Sequence, residues 1–229
     1  MKTHNILLGL SVLLLSSCSD FLDKTPLVQT SVQTYYSTDD EANSSIIGIY
    51  SIMQNESFQL APFMIIGDDC SDDSDIGNSK AFSWLGSVAQ SLQKFDNLPT
   101  NWVSNALWAQ GFSGISAATQ AIESITANSD KLSPAKRDQY LGEAHFLRAF
   151  NYFFMTRQYG RMPIVDHVLN YEEYYMPRAT IEATWEFMEQ DLKAAIGLLP
   201  KKSEYPASDL GRATQGAAYA MLGKVYIYQ

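Results

Sequence analysis

The sequence predicts a fold dominated by α-helix, an array of tetratricopeptide-like helical hairpins with long irregular loops. Three observations predict it. Apolar residues recur at helical spacing through five separate stretches of the chain. Cap residues open those stretches, and Gly or Pro closes several of them, as helix ends require. The triplet Arg178-Ala179-Thr180 returns 34 residues later as Arg212-Ala213-Thr214, each leading into an apolar-periodic run. That spacing is the tetratricopeptide period, but only one helix fits within it because 200–211 reads as loop. The triplets therefore mark a shared way of starting a helix within a hairpin array, not a regular solenoid.

The first element is not part of the array. Lys2 and His4 precede an apolar run from Ile6 to Leu15, too short for a membrane-spanning helix of about 20 residues and of the length of a secretory signal. Leu15-Ser16-Ser17-Cys18 resembles a bacterial lipobox, in which the cysteine is acylated before cleavage. Residues 1–17 are expected to be a lipoprotein signal peptide and 18–38 a lipidated tether and lead-in. The helical body is expected over 39–229. One acyl chain alone anchors only marginally, and the resemblance to lipobox proteins implies several chains on Cys18. Only Cys70 then remains, so no internal disulfide is possible and stability must come from a packed core.

The helices follow in order. Thr38-Asp39-Asp40-Glu41 is a capping box, after which Ala42, Ile46, Ile49, Tyr50 and Met53 share a face. Residues 55–100 show no sustained period and read as a long loop, a length usually reserved for function. Trp108, Phe112, Ile115, Ala118, Ile122 and Ile125 align in a helix from about Trp102 to Ala127. Ser133-Pro134 then caps a helix running to Gln158, with proline where its missing amide costs nothing. Tyr140, Ala144, Leu147, Asn151 and Phe154 lie on its core face, and Gly160 and Pro163 end it. From Thr180 to Leu199 the stripe is Ile181, Trp185, Met188, Leu192, Ala195, Ile196 and Leu199. The last helix begins at Thr214 and carries Ala218, Met221, Leu222, Val225 and Tyr228.

Charge and motif content exclude several functions. Lys plus Arg number 16 against 25 Asp plus Glu, a net charge of −9 that argues against a nucleic-acid partner. No basic residue lies between Lys24 and Lys80, where nine acids fall; such a block reads first as a solvated surface. His145, His167 and Cys70 lack zinc-ligand spacing. An EF-hand register starting at Asp73 puts Gly77 fifth and Trp84 twelfth, which fails the template. A looser calcium site from Asp68, Asp69, Asp72 and Asp73 is weaker than the reading as an exposed acidic loop. There is no Gly-x-Ser-x-Gly and no phosphate loop. Nothing selects a glycosidase pair from the many acids. No enzyme activity and no cofactor are expected.

Four segments in order, "CSDFLDKTP", "YLGEAHFLRAFNYFFMTRQYGRMPIV", "PRATIEATWEFMEQDLKAAIGLLP" and "GRATQGAAYAMLGKVYIYQ", resemble the amino-terminal part of the SusD/RagB family. Its members are outer-membrane lipoproteins of Bacteroidota that capture glycans for a TonB-dependent, SusC-like transporter. The resemblance therefore implies a surface-facing, lipid-anchored body with a glycan ligand and a transporter partner. Arg161 departs from the acid or glycine more common there. The family's members are also much longer, so the carboxy-terminal half of the fold is expected to be absent. A helical module binding only protein partners is the competing reading, and a non-functional gene fragment is a third.

A sugar presents apolar C–H faces between hydroxyls, so its binder needs flat aromatics and planar polar groups, usually on loops. The loop 67–104 offers Trp84, Trp102, Asn101, Asn78, Asp72 and Asp73 as candidate ligand residues. Trp108 and Trp185 are expected in the core, and Tyr171, Tyr174 and Tyr175 are expected to pack. Glu143 and Arg148 lie five positions apart, about 140° around a helix, so each is expected to bond a different neighbouring helix. Arg178 and Arg212 are expected to bind carbonyls or carboxylates where helices start.

Overall fold

The computed structural model describes residues 36–55, 67–68, 70–74, 86–96 and 98–229. Its helices are α1 (Asp39–Met53), α2 (Gly86–Gln93), α3 (Trp102–Ala127), α4 (Pro134–Tyr159), α5 (Ile181–Leu198) and α6 (Gln215–Tyr228). Among the described residues there is no strand. Four of the five long helices begin on a hydroxyl or amide side chain that accepts a first-turn N–H: Thr38 for α1, Asn101 for α3, Thr180 for α5 and Thr214 for α6. The two Arg-Ala-Thr triplets therefore share a cap, with Thr180 accepting from Ala183 at 3.1 Å and Thr214 from Ala217 at 3.2 Å. Helix α4 instead begins with Pro134 and ends at Gly160, whose φ of 65° suits the residue without a Cβ. The short helix α2 interrupts what the sequence reads as continuous loop.

Helix α3 pairs with α4, α4 with α5, and α5 with α6, while α1 packs on α3 and α4. Each successive pair is antiparallel, as the contacts show. Gly114 faces Asn151 while Thr119 meets Arg148. Gly142 faces Leu198 and Leu199 while Phe153 meets Trp185. Glu189 meets Tyr226 and Gln229, while the Ile196 carbonyl receives Gln215. The result is a run of helical hairpins with α4 at its centre, buried on nearly every side from Leu147 to Thr156.

The core joins Leu107, Ile115, Tyr152, Phe153, Met155, Met162, Trp185, Met188, Leu192 and Val225. On α3 the buried line runs through Leu107, Gly111, Gly114, Ile115, Ala118, Ala121 and Ile125, rotated from the stripe expected from the large apolar residues. Glycine explains the rotation. A Cβ on Gly114 would stand 2.7 Å from Asn151 Oδ1, so α3 and α4 approach along their smallest residues. Trp108, Phe112 and Ile122 are left half-buried at the edge of that contact.

The two buried charges of α4 serve different neighbours. Arg148 donates from Nε and a terminal nitrogen to both oxygens of Asp191 on α5, at 2.8 and 2.7 Å. It also reaches Thr119 on α3 and the carbonyl of Asp166, and its guanidinium lies 4.8 Å from the Phe187 ring. Glu143 accepts from Gln139 and from Arg212 at 2.8 and 2.9 Å. Burial raises the Glu143 carboxyl above its ordinary range, and Arg212, Gln139 and Tyr50 oppose that rise.

Candidate functional site: two clefts divided by Trp108

The 160–180 connection between α4 and α5 builds the wall of the site. Tyr152, fully buried, donates to the Pro163 carbonyl and accepts from the Val165 amide. Thr119 donates to the Val165 carbonyl, and the Val168 amide donates to Glu123. The Ala179 amide then returns to the Met162 carbonyl and closes the base of the loop. Between these ties, Asn170 and Glu173 form a capping box around the short 3-10 turn Tyr171–Tyr174. His167 holds the turn from outside, with Nδ1 2.7 Å from Asp166 and Nε2 3.2 Å from Glu173. The hydrogen bond to Asp166, then that to Glu173, raises the His167 pKa above its ordinary value.

A cleft of about 420 Å³ opens between this connection and the outer face of α3, lined among others by Trp108, Phe112, Leu169, Tyr174 and Met176. Tyr171 and Tyr175 stand beside it 82% and 93% exposed, with the Tyr171 and Tyr174 rings edge to face at 6.1 Å. The tyrosines expected to pack are thus presented to solvent. On the other side of Trp108 lies a second cleft, also about 420 Å³, bounded by Leu98, Pro99, Ser104, Asn105, Tyr159 and Arg178. Trp108 lines both clefts. Its ring sits 4.7 Å from Phe112 and 5.0 Å, edge-on, from Tyr159. Tyr159 donates its hydroxyl to the Ser104 carbonyl at 2.6 Å, and burial pushes its pKa up to about 12. Trp108 is therefore a partition at the core's edge, whereas Trp185 is core as expected.

The loop residues singled out by sequence are distributed unevenly about this site. Trp102, the first residue of α3, is 41% exposed, and Leu98 and Pro99 just before it reach the second cleft. Asn101 is buried, its side chain capping α3 through the Val103 amide at 3.0 Å. Asp72 and Asp73 are exposed in the turn that follows Asp68, where Ser71 bonds both the Asp68 carbonyl and the Asp73 amide. Trp84, Asn78 and Cys18 lie outside the described residues. Among the described residues, no three His, Cys, Asp or Glu are grouped to hold a metal ion, and no helix is long and apolar enough to cross a membrane. The residues that sequence reasoning missed are Trp108 and the Tyr171–Tyr175 turn. Gly111 and Gly114 were the available signal, since small residues mark the side of closest helix approach and leave Trp108 at its border.

Arg212 meets the carboxylate expected of it, but Arg178 does not. Among the described residues Arg178 makes no hydrogen bond or ion pair, and it is exposed at the rim of the second cleft.

Comparison with known proteins gives a consistent set of relatives. A family model described as SusD-like, starch-binding and associating with the outer membrane matches residues 20–227. The chain is 26% identical over 234 residues to SusD-like protein P2 of Formosa agariphila, covering 99% of this chain and 43% of that protein. Among solved structures, a laminarin-binding SusD-like protein superposes with a TM-score of 0.68 at 26% identity, covering 83% of this chain and 40% of the other. A SusD superfamily protein from Bacteroides vulgatus superposes with a TM-score of 0.74 at 21% identity, covering 85% and 41%. The chain thus spans about two-fifths of the length of these relatives.

Proposed function

Given that the chain belongs to the SusD-like family, we propose that it is a surface glycan-binding lipoprotein segment whose ligand lies on Trp108. The observation that carries this reading is the partition itself. A flat indole with an aromatic-lined cleft on each side offers the apolar faces of consecutive sugar rings a place to stack. Ser104, Asn105, Ser113 and Ser116 stand at the cleft walls to exchange hydrogen bonds with hydroxyls. Among the described residues no Asp or Glu lines either cleft. The chemistry on offer is capture and release. A relative that binds laminarin supports a glycan as the ligand class.

In this reading Cys18 carries the lipid that holds the body at the outer membrane, and captured glycan passes to a TonB-dependent, SusC-like transporter. Trp102, 41% exposed at the start of α3, is proposed as a further stacking residue. Trp84, Asn78, Asp72 and Asp73 belong to the same long loop and are proposed as further contacts. The test is titration of the protein with a panel of neutral polysaccharides, alongside Trp108→Ala. Loss of a measurable affinity in the variant, with an unchanged far-ultraviolet spectrum, supports the reading. Equal binding by both proteins, or binding by neither, refutes it.

A further inference from the structure

The two Arg-Ala-Thr triplets enter their helices with the same cap, yet their arginines end in different surroundings. Arg212 is drawn inward and donates to Glu143 and Asn43. Arg178 stands at the second cleft with no ion pair among the described residues, although the chain carries 25 acids and a net charge of −9. Among the described residues no carboxylate lines that cleft. Arg161 reinforces the local charge: it bonds only the carbonyl of Ala179, beside Arg178, and also makes no ion pair among the described residues. Asn105, one turn before Trp108 on the same cleft, has a side-chain amide with no hydrogen-bond partner among the described residues.

An unneutralised guanidinium beside an aromatic wall favours one kind of ligand group. Its planar fork matches a carboxylate or sulfate, and its weak hydration lowers the cost of taking that anion from water. A sugar stacked on an indole presents its substituents at the ring edge, within reach of groups on the cleft rim. We propose that the second cleft is an anion-accepting subsite, in which Arg178 and Asn105 take the carboxylate of a uronic acid or the sulfate ester of a sugar stacked on Trp108. The inference rests on the glycan reading of the Trp108 partition and specifies its ligand. Arg178 is then the specificity-determining residue, separating acidic from neutral glycans.

The test is calorimetric titration of the full chain with three tetrasaccharides: a galacturonate, a neutral galactoside and a sulfated galactoside. At least one anionic probe is expected to bind about tenfold or more tightly than the neutral one, the range of a charged hydrogen bond. The advantage should shrink as ionic strength rises. Preference for the galacturonate alone assigns a carboxylate, and preference for the sulfated probe alone assigns a sulfate ester. Arg178→Gln should abolish the advantage; its side chain has no internal partner among the described residues, so the fold is expected to persist. Equal affinity for acidic and neutral probes, or a preference that survives Arg178→Gln, overturns the subsite and leaves the glycan reading standing. Binding of none of the three overturns both.

Discussion

Replacing Asp191 with alanine tests how the central helices are joined. Arg148 is 6% exposed in its side chain and Asp191 4%, and two hydrogen bonds of 2.8 and 2.7 Å join them across the α4–α5 interface. In Asp191→Ala the guanidinium stays charged and buried. It keeps Thr119 and the Asp166 carbonyl at 3.2 and 3.4 Å as acceptors for one nitrogen, while Nε and the other terminal nitrogen lose theirs. Breaking a buried pair from one side costs about 3–5 kcal/mol. At about 2–4 °C per kcal/mol for a domain of this size, the melting temperature should fall by roughly 6–20 °C. Removing both charges is a different perturbation, because no buried charge is left unpaired, although His145 Nδ1, 2.7 Å from Asp191, loses a partner; Arg148→Met with Asp191→Leu should recover part of the loss. Thermal melts followed by far-ultraviolet circular dichroism, with urea titrations for the free energies, measure both. A single variant melting within about 2 °C of the parent would refute the reasoning, as would a double variant no more stable than the single.

Leu192 is fully buried between α4 and α5, so Leu192→Ala should cost about 2–5 kcal/mol by lost burial and a residual cavity; an unchanged urea midpoint would contradict that packing. The His167 clamp on the tyrosine turn should depend on pH. Because the folded pKa of His167 is raised by Asp166 and then Glu173, its contribution is fully present below its ordinary value of 6.5 and lost as pH rises through the raised value. The folded pKa values of Asp166 and Glu173 are lowered, by the hydrogen bond from His167 and by that from the Asn170 amide respectively. Their contributions are present above ordinary carboxylate values and fail as pH falls through the depressed ones. Glu123, which receives the Val168 amide, and Arg148, which bonds the Asp166 carbonyl, face the same segment. The turn should be best ordered between those limits, and an imidazole resonance titrating at or below 6.5 would contradict the clamp. Cys18→Ser should release the protein from membranes or leave its leader uncleaved; unchanged fractionation and unchanged mass would remove the lipoprotein reading.

Local chemistry explains how much of this was readable in advance. Thr38, Thr180 and Thr214 announced their helices because a cap depends on a few neighbouring positions. The roles of Glu143 and Arg148 followed from their angular separation on one helix, although their partners, Arg212 and Asp191, lie 69 and 43 positions away. The large apolar side chains of α3 do not mark its buried phase, because proximity to α4 favours the small residues Gly111 and Gly114. That displacement hid Trp108 as a partition. The tyrosine turn was equally hidden, since its exposure depends on tertiary ties from Tyr152, Thr119 and Glu123 that no spacing along 160–180 reveals. Arg178 and Arg212 occupy identical triplets, and only the surroundings distinguish an internal brace from a free charge.

The bonds around Glu143 bear on how this array comes apart. Stacked helical repeats commonly unravel from an end, because each unit touches only its neighbours. Here Arg212, at the start of α6, reaches Asn43 on α1 across 169 positions while holding Glu143, and the Ala213 amide donates to the Tyr50 hydroxyl. Helices α1 and α6 are thereby latched to one point on α4. Fraying of either must open the same latch, so amide protons in α1 and α6 should exchange with a common opening free energy. The latch also delays assembly, since a contact of such sequence separation forms only after the intervening helices have drawn the chain together.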